Sequence, residues 1–153
     1  MDPFDREGGV LSSWCLLGLL ASLSYLVGCQ SPNFQPVEIV TEDMCSYCRM
    51  AITEKRYAAQ FLDEDGQAFK FDDVACMMNY LKAKKDQVPV SHYYVVDFDS
   101  KQWITVNEAW FVRSQEFKTP MGGGTLAFGN QLKAERAATT RQGQLVSFNE
   151  LKN

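Results

Sequence analysis

Two cysteines three positions apart, with a methionine two positions later, give the stretch Asp43-Met44-Cys45-Ser46-Tyr47-Cys48-Arg49-Met50 its chemical interest. Three chemistries use such a pattern. A Cys-x-x-Cys pair is the spacing of thiol–disulfide enzymes, whose first cysteine sits at a helix N-terminus with a lowered pKa. It is also half of a structural zinc site, which wants four Cys or His ligands. A thiol with a thioether close by suits Cu(I), a soft ion that favours sulfur and accepts few ligands.

Neighbouring residues weigh these against one another. Glu42 and Asp43 stand beside the thiols, and nearby negative charge raises a thiol pKa and opposes a reactive thiolate. Zinc would need Cys76 and His92 to complete a set with Cys45 and Cys48, and those two show no paired spacing. Cu(I) needs less. Cys48-x-Met50 supplies one thiol and one thioether within three residues, and a thioether has no proton to lose and forms no disulfide. Asp43 offers only an oxygen, a poor ligand for Cu(I). His92 opens a strand and is left outside the site. Met77 and Met78 fall in a helical segment where core packing explains them. Met121 differs, because it opens the loop PMGGGTLAF, whose three glycines let the backbone bend closely around whatever the side chain faces.

The chain has 153 residues, 46% apolar and 22% charged, with a formal net charge of -4. No block of Lys and Arg stands out, which speaks against nucleic acid as a partner. Residues Val10 to Gly28 carry no charge and are dominated by Leu, and residues 1–28 read as a secretory signal. The run ends in Leu26-Val27-Gly28-Cys29, which resembles the lipobox of bacterial lipoproteins. That resemblance implies cleavage before Cys29, lipidation of its thiol, and a chain anchored to the membrane on the extracytoplasmic, periplasmic side. The leading segment departs from the usual pattern, with three acids and one Arg before the apolar run. An uncleaved membrane anchor is the other reading, and it also places the domain outside the cytoplasm. Residues 29–37 then form the lipidated Cys and a polar tether with two prolines. Of five cysteines, Cys15 lies in the signal and Cys29 is blocked, so Cys45, Cys48 and Cys76 remain, too odd a number for a complete disulfide framework. Cys76, in DDVACMMNYL, reads as a small buried core residue. Cys45 and Cys48 lie in a polar stretch near a turn.

The elements that must position these residues follow from local pattern. Val37 to Val40 reads as a short strand. Tyr57 to Leu62 and Ala68 to Phe71 read as a hairpin across Asp65-Gly66. Asp72 or Asp73 caps a helix running to about Lys85, with apolar Val74, Met77, Met78 and Leu81 at helical spacing. His92 to Phe98 is a strand. Trp103 to Thr105, Asn107 to Arg113 and Thr125 to Phe128 are further strands, followed by a helix from Asn130 to about Thr140 with Gly143 past its end. Gln144 to Ser147 is a last strand, and Phe148 to Leu151 turns helical. The class is α+β with mostly antiparallel sheet, in two strand-strand-helix-strand units at roughly 38–100 and 101–153.

The lipobox, the Cys45-x-x-Cys48-x-Met50 motif, the Ala-Ala-Gln strand, FDDVACMMNYL and PMGGGTLAF occur together and in order. This set resembles the NosL family of copper-binding accessory lipoproteins in nitrous oxide reductase maturation. The resemblance implies a domain over 38–153 with a core like that of organomercurial lyase. It implies a Cu(I) carrier rather than an enzyme, with Cys48, Met50 and Met121 as metal ligands; Cys45 joins them by its spacing alone, as a further ligand, a spare one, or the partner of Cys48 in a reversible disulfide. Its implied partners are an ABC-type copper/sulfur maturation complex and nitrous oxide reductase. The family usually reads Cys-Gly-Met where this chain has Cys48-Arg49-Met50. An extracytoplasmic thiol–disulfide oxidoreductase using Cys45 and Cys48 is the competing function.

Overall fold

The computed structural model describes residues 34–84 and 87–153. The expected signal, Cys29 and most of the expected tether lie outside the described residues. Phe34 already packs on the domain. Its ring stacks on His92 with centroids 4.8 Å apart, and its carbonyl accepts the Tyr94 hydroxyl at 2.6 Å.

The first sheet grows from a central strand. β1 (Ala59–Asp63) is buried over its first four residues, which is why it carries Phe61 and Leu62 on opposite faces. β2 (Ala68–Phe71) returns beside it through the Asp63–Gly66 turn. Gly66 takes φ 79° there, a value that glycine adopts without penalty. α1 (Val74–Lys84) follows, and β3 (Val90–Val96) pairs antiparallel on the other side of β1. β4 (Trp103–Thr105) adds to β3, giving the order β2-β1-β3-β4. The division expected near residue 100 therefore falls inside the β3–β4 hairpin. The second sheet repeats the plan. β5 (Trp110–Arg113) is central, β6 (Thr125–Phe128) pairs on one side, α2 (Gln131–Thr140) crosses, and β7 (Gln144–Val146) pairs on the other. A short α3 (Phe148–Lys152) closes the chain with a Ser147–Glu150 capping box.

One apolar core joins the two sheets. Phe61 stacks on Phe69 at 4.7 Å and meets Phe71 and Tyr80 within 6 Å. Phe111, Ala127 and Leu151 of the second unit belong to the same cluster. Val112, Leu126, Phe128 and Ala134 form a smaller core under α2.

The expected strand at Val37–Val40 does not form. Gln60 takes the place of its ladder: the Gln60 carbonyl oxygen accepts the Val37 N–H at 3.0 Å and its amide donates to the Val37 carbonyl at 3.0 Å. One fully buried side chain thus satisfies the backbone that a neighbouring strand would otherwise bond. Two further expected strands begin late. Lys55–Tyr57 forms a 3-10 turn before β1, and Asn107 and Glu108 turn before β5, where Glu108 accepts the Thr105 N–H at 3.1 Å.

Candidate metal centre

The thiol motif is a small hairpin laid on a sheet edge. Met44 and Ala51 pair antiparallel. The Cys45 N–H donates to the Met50 carbonyl at 2.8 Å, and the Arg49 N–H closes the turn onto the Cys45 carbonyl at 3.1 Å. The Ser46 N–H donates to the Lys70 carbonyl at 2.8 Å, which fixes the hairpin against β2. β2 is an outer strand with a free edge, so it can accept this extra bond. The docking carries both cysteines to the end of β2, where Asp72 begins the link to α1.

There the chain brings four ligand groups together. The Sγ atoms of Cys45, Cys48 and Cys76 and a carboxylate oxygen of Asp72 lie within 4.8 Å of one another. Cys45, Asp72 and Cys76 are buried and Cys48 is half-buried. The Cys48 thiol donates to Asp72 Oδ2 at 3.4 Å. Among the described residues nothing hydrogen-bonds the buried Asp72 Oδ1, a costly state for a polar atom unless something positive faces it. Around an ion with metal–sulfur bonds of roughly 2.3 Å, tetrahedral ligand atoms sit about 3.8 Å apart. The cluster reaches that spacing by side-chain adjustments on the order of 1 Å. Three thiols suit Cu(I) or Zn²⁺, and the carboxylate is a ligand that zinc takes more readily than Cu(I).

Cys45, expected in a polar stretch near a turn, is fully buried. Sequence reasoning reads Cys76 as core. Cys76 is in the core, and its thiol also faces the other two. Asp72 was weighed only as a helix cap. Asp73 takes that role, accepting the Cys76 N–H at 2.9 Å, and so frees Asp72 for the thiols. The signal for this was the Asp-Asp pair itself, since one cap needs one carboxylate. Asp43 is committed elsewhere, ion-paired to Lys70 at 2.6 Å. Burial pushes its carboxyl up, but Lys70 and the Val40 N–H outweigh this and hold it below the usual range.

The two methionines are more exposed than the buried cluster. Met50 is 49% exposed and Met121 is 41% exposed. Their loops nonetheless flank it. The Met121 N–H donates to Asp73 Oδ2 at 3.1 Å and the Thr119 hydroxyl to the same oxygen at 3.0 Å. Gly123 allows this seating, because a Cβ there would stand 2.2 Å from that of Ala75. The arrangement is a buried thiol trio, one thiol partly open to solvent, with exposed methionines on the thiol hairpin and on the loop that Asp73 holds.

Residues 36–153 match the NosL family model. The chain belongs to the NosL family. No curated protein sequence matches it. The crystal structure of the copper chaperone NosL from Shewanella denitrificans has a similar fold, with TM-score 0.68 and 22% identity over 78% of this chain and 96% of that one.

In this NosL chain the turn of the thiol hairpin is strained at Arg49. Arg49 has φ 65°, in the left-handed region that glycine enters freely. The thiol hairpin therefore turns through a residue that finds this conformation strained. Arg49→Gly is expected to stabilise the fold by about 0.5–1 kcal/mol. Urea unfolding checks this; a loss of stability would show that the Arg side chain holds the hairpin.

Thiol acidity sets the pH response of this NosL protein. Burial pushes the Cys48 thiol up; the Met50 N–H opposes this, and Cys45 and Asp72 add to the rise. Cys76 is driven up strongly by burial, then by Asp72 and Cys45. Both are protonated at neutral pH, so metal entry must displace protons and affinity must climb with pH. Thiols of the unfolded chain ionise near about pH 8.5. The raised folded values contribute stability that is whole below that pH and is lost as pH rises through the folded pKa. The metal-free protein is expected to melt at lower temperature at pH 9.5 than at pH 7.5. Thermal scans test this, and equal midpoints would contradict it.

Proposed function

We propose that this chain is a Cu(I) carrier. It is anchored outside the cytoplasm through lipid on Cys29 and delivers copper for assembly of the copper centres of nitrous oxide reductase. The observation that carries the reading is the cluster of Cys45, Cys48, Asp72 and Cys76, met in a chain of the NosL family. Cys48 links the buried thiols to the surface, and Met50 and Met121 offer thioethers there. Thioethers bind Cu(I) without proton exchange and release it readily to a stronger sulfur site. That suits a carrier better than a catalyst. The Cu(I) ligands proposed are Cys48, Met50 and Met121, with Cys45 behind them. Anchoring is supported by the apolar run ending in Leu26-Val27-Gly28-Cys29, and the partners proposed are a membrane ABC-type maturation complex and the reductase.

The oxidoreductase alternative is disfavoured by local chemistry. Its attacking thiol needs a lowered pKa at a helix N-terminus. Here the pair sits on a hairpin, Cys45 is buried, and the accessible Cys48 thiol is pushed up.

The test is an anaerobic Cu(I) titration of the chain against a competing chelator, with Met121→Leu beside the wild type, followed by transfer to metal-free nitrous oxide reductase. One tightly bound Cu(I), weakened in the variant and passed to the reductase, is expected. Tight binding without transfer would leave a copper store and remove the delivery role. Absence of tight binding would return the pair to thiol redox chemistry.

A further inference from the structure

A cleft of about 600 Å³ opens between α2 and the Tyr57 and Phe98 rings, lined by none of the four residues of the thiol cluster. Its floor and walls are Tyr57, Phe98, Phe117, Leu126, Phe128 and Ala137. Leu126 and Phe128 are buried, and the other four are only partly covered. Phe98 packs edge-on against Phe128 and tilted against Tyr57, both at 5.8 Å. α2 turns Lys133, Arg136, Ala137 and Thr140 toward the opening, at spacings of three, four and seven from the first. Ala137 is the small member of that stripe. A longer side chain there would fill the hollow over β6.

Charge at the rim is one-sided. Lys133 is paired with Asp99 at 3.0 Å. Lys118, Arg136 and Arg141 also line the cleft, and among the described residues no carboxylate lies within ion-pair distance of them. Glu116 is the only other acid at the rim. Four cations against two acids give a local excess of positive charge on a chain whose net charge is -4. A cationic rim over a low-dielectric aromatic floor concentrates anions, and guanidinium groups bind carboxylates through paired hydrogen bonds. The volume falls within the roughly 300–1,000 Å³ of small-molecule sites, which are likewise mostly apolar with a few polar groups.

We propose that this cleft binds a free organic anion with an apolar body, a carboxylate on an aromatic ring or short alkyl chain. Arg136 and Arg141 take the carboxylate, and Phe98, Phe117 and Phe128 take the body. The site stands independently of copper chemistry. Its occupant would nonetheless rest on Phe117 and Lys118, which belong to the same loop as Met121.

The experiment uses the full chain in phosphatidylcholine nanodiscs, titrated with 2-naphthoate and with neutral 2-naphthamide, empty nanodiscs serving as the blank. Naphthoate is expected to bind one per chain with Kd of roughly 10–100 µM, and the amide at least tenfold more weakly. Arg136→Glu with Arg141→Glu is expected to weaken naphthoate at least tenfold. Ala137→Leu should do the same by filling the cleft. The paired charge variant alters exposed side chains and should keep the wild-type melting midpoint and copper affinity. Equal binding of acid and amide, or naphthoate binding that survives both variants, would overturn the proposal. Nanodiscs of phosphatidylglycerol separate the two sources of such an anion. Unchanged naphthoate affinity in them supports a free ligand, whereas loss of affinity would assign the cleft to lipid headgroups and overturn the free-ligand assignment.

Discussion

Replacing Cys48 by serine is expected to weaken Cu(I) binding by about a hundred- to a thousandfold. A full four-ligand set at a sulfur-rich structural zinc site is worth roughly 10–16 kcal/mol, so by analogy one ligand of four accounts for about 3–4 kcal/mol, which is that range of affinity. Serine is nearly isosteric but offers a hard oxygen that Cu(I) does not favour. Cys48 is chosen because it is the least buried of the three thiols and its Sγ already contacts Asp72 at 3.4 Å. The fold should be little affected, since the backbone bonds that hold the hairpin involve Cys45, Ser46, Arg49 and Met50 rather than the Cys48 side chain. Chelator competition under anaerobic conditions measures the change. An affinity within threefold of wild type would move the copper seat away from the motif altogether.

Asp73→Ala is expected to cost about 3–5 kcal/mol of stability and to loosen the Met121 loop. The Asp73 side chain is 1% exposed. One oxygen accepts the Cys76 N–H at 2.9 Å, and the other takes Thr119 Oγ1 at 3.0 Å and the Met121 N–H at 3.1 Å. Losing a helix cap alone costs about 1–2 kcal/mol, and each buried donor left without its charged acceptor adds about 1–3 kcal/mol. Asp73→Asn keeps one carbonyl oxygen and should recover part of the loss. Urea unfolding gives the stability change, and faster amide exchange at Met121 gives the loop effect. If Asp73→Ala destabilised the chain while Met121 exchange stayed slow, Gly123 packing on Ala75 would be what seats the loop.

Much of the fold was legible because its local signals agree. The Asp65-Gly66 turn between two apolar runs specifies the β1–β2 hairpin, and the spacing of Val74, Met77 and Met78 specifies α1. The strand-strand-helix-strand order recurs as expected, with β1 and β5 each central in its sheet. Val37–Val40 misled for a physical reason. Its residues have strand propensity, but a strand exists only where a neighbour supplies a ladder, and the buried Gln60 side chain supplied the bonds instead. Cys76 was legible as buried and not as clustered, because burial follows from local periodicity and proximity across 31 residues of sequence does not.

The sequence by itself determined the chemistry on offer: Cys45, Cys48 and Cys76 as thiols, a thioether two positions after Cys48, and a glycine-rich loop opening on Met121. Residue identity fixes ligand softness without reference to the fold. Only the tertiary structure decided which of these groups meet. It laid the thiol hairpin on the edge of β2, and it gave Asp73 to the helix cap and Asp72 to the thiols. It also left Met50 and Met121 at the surface while burying Cys45 and Cys76. Those choices rest on long-range hydrogen bonds and packing, from Ser46 to Lys70 and from Asp73 to Thr119 and Met121. No local pattern encodes them.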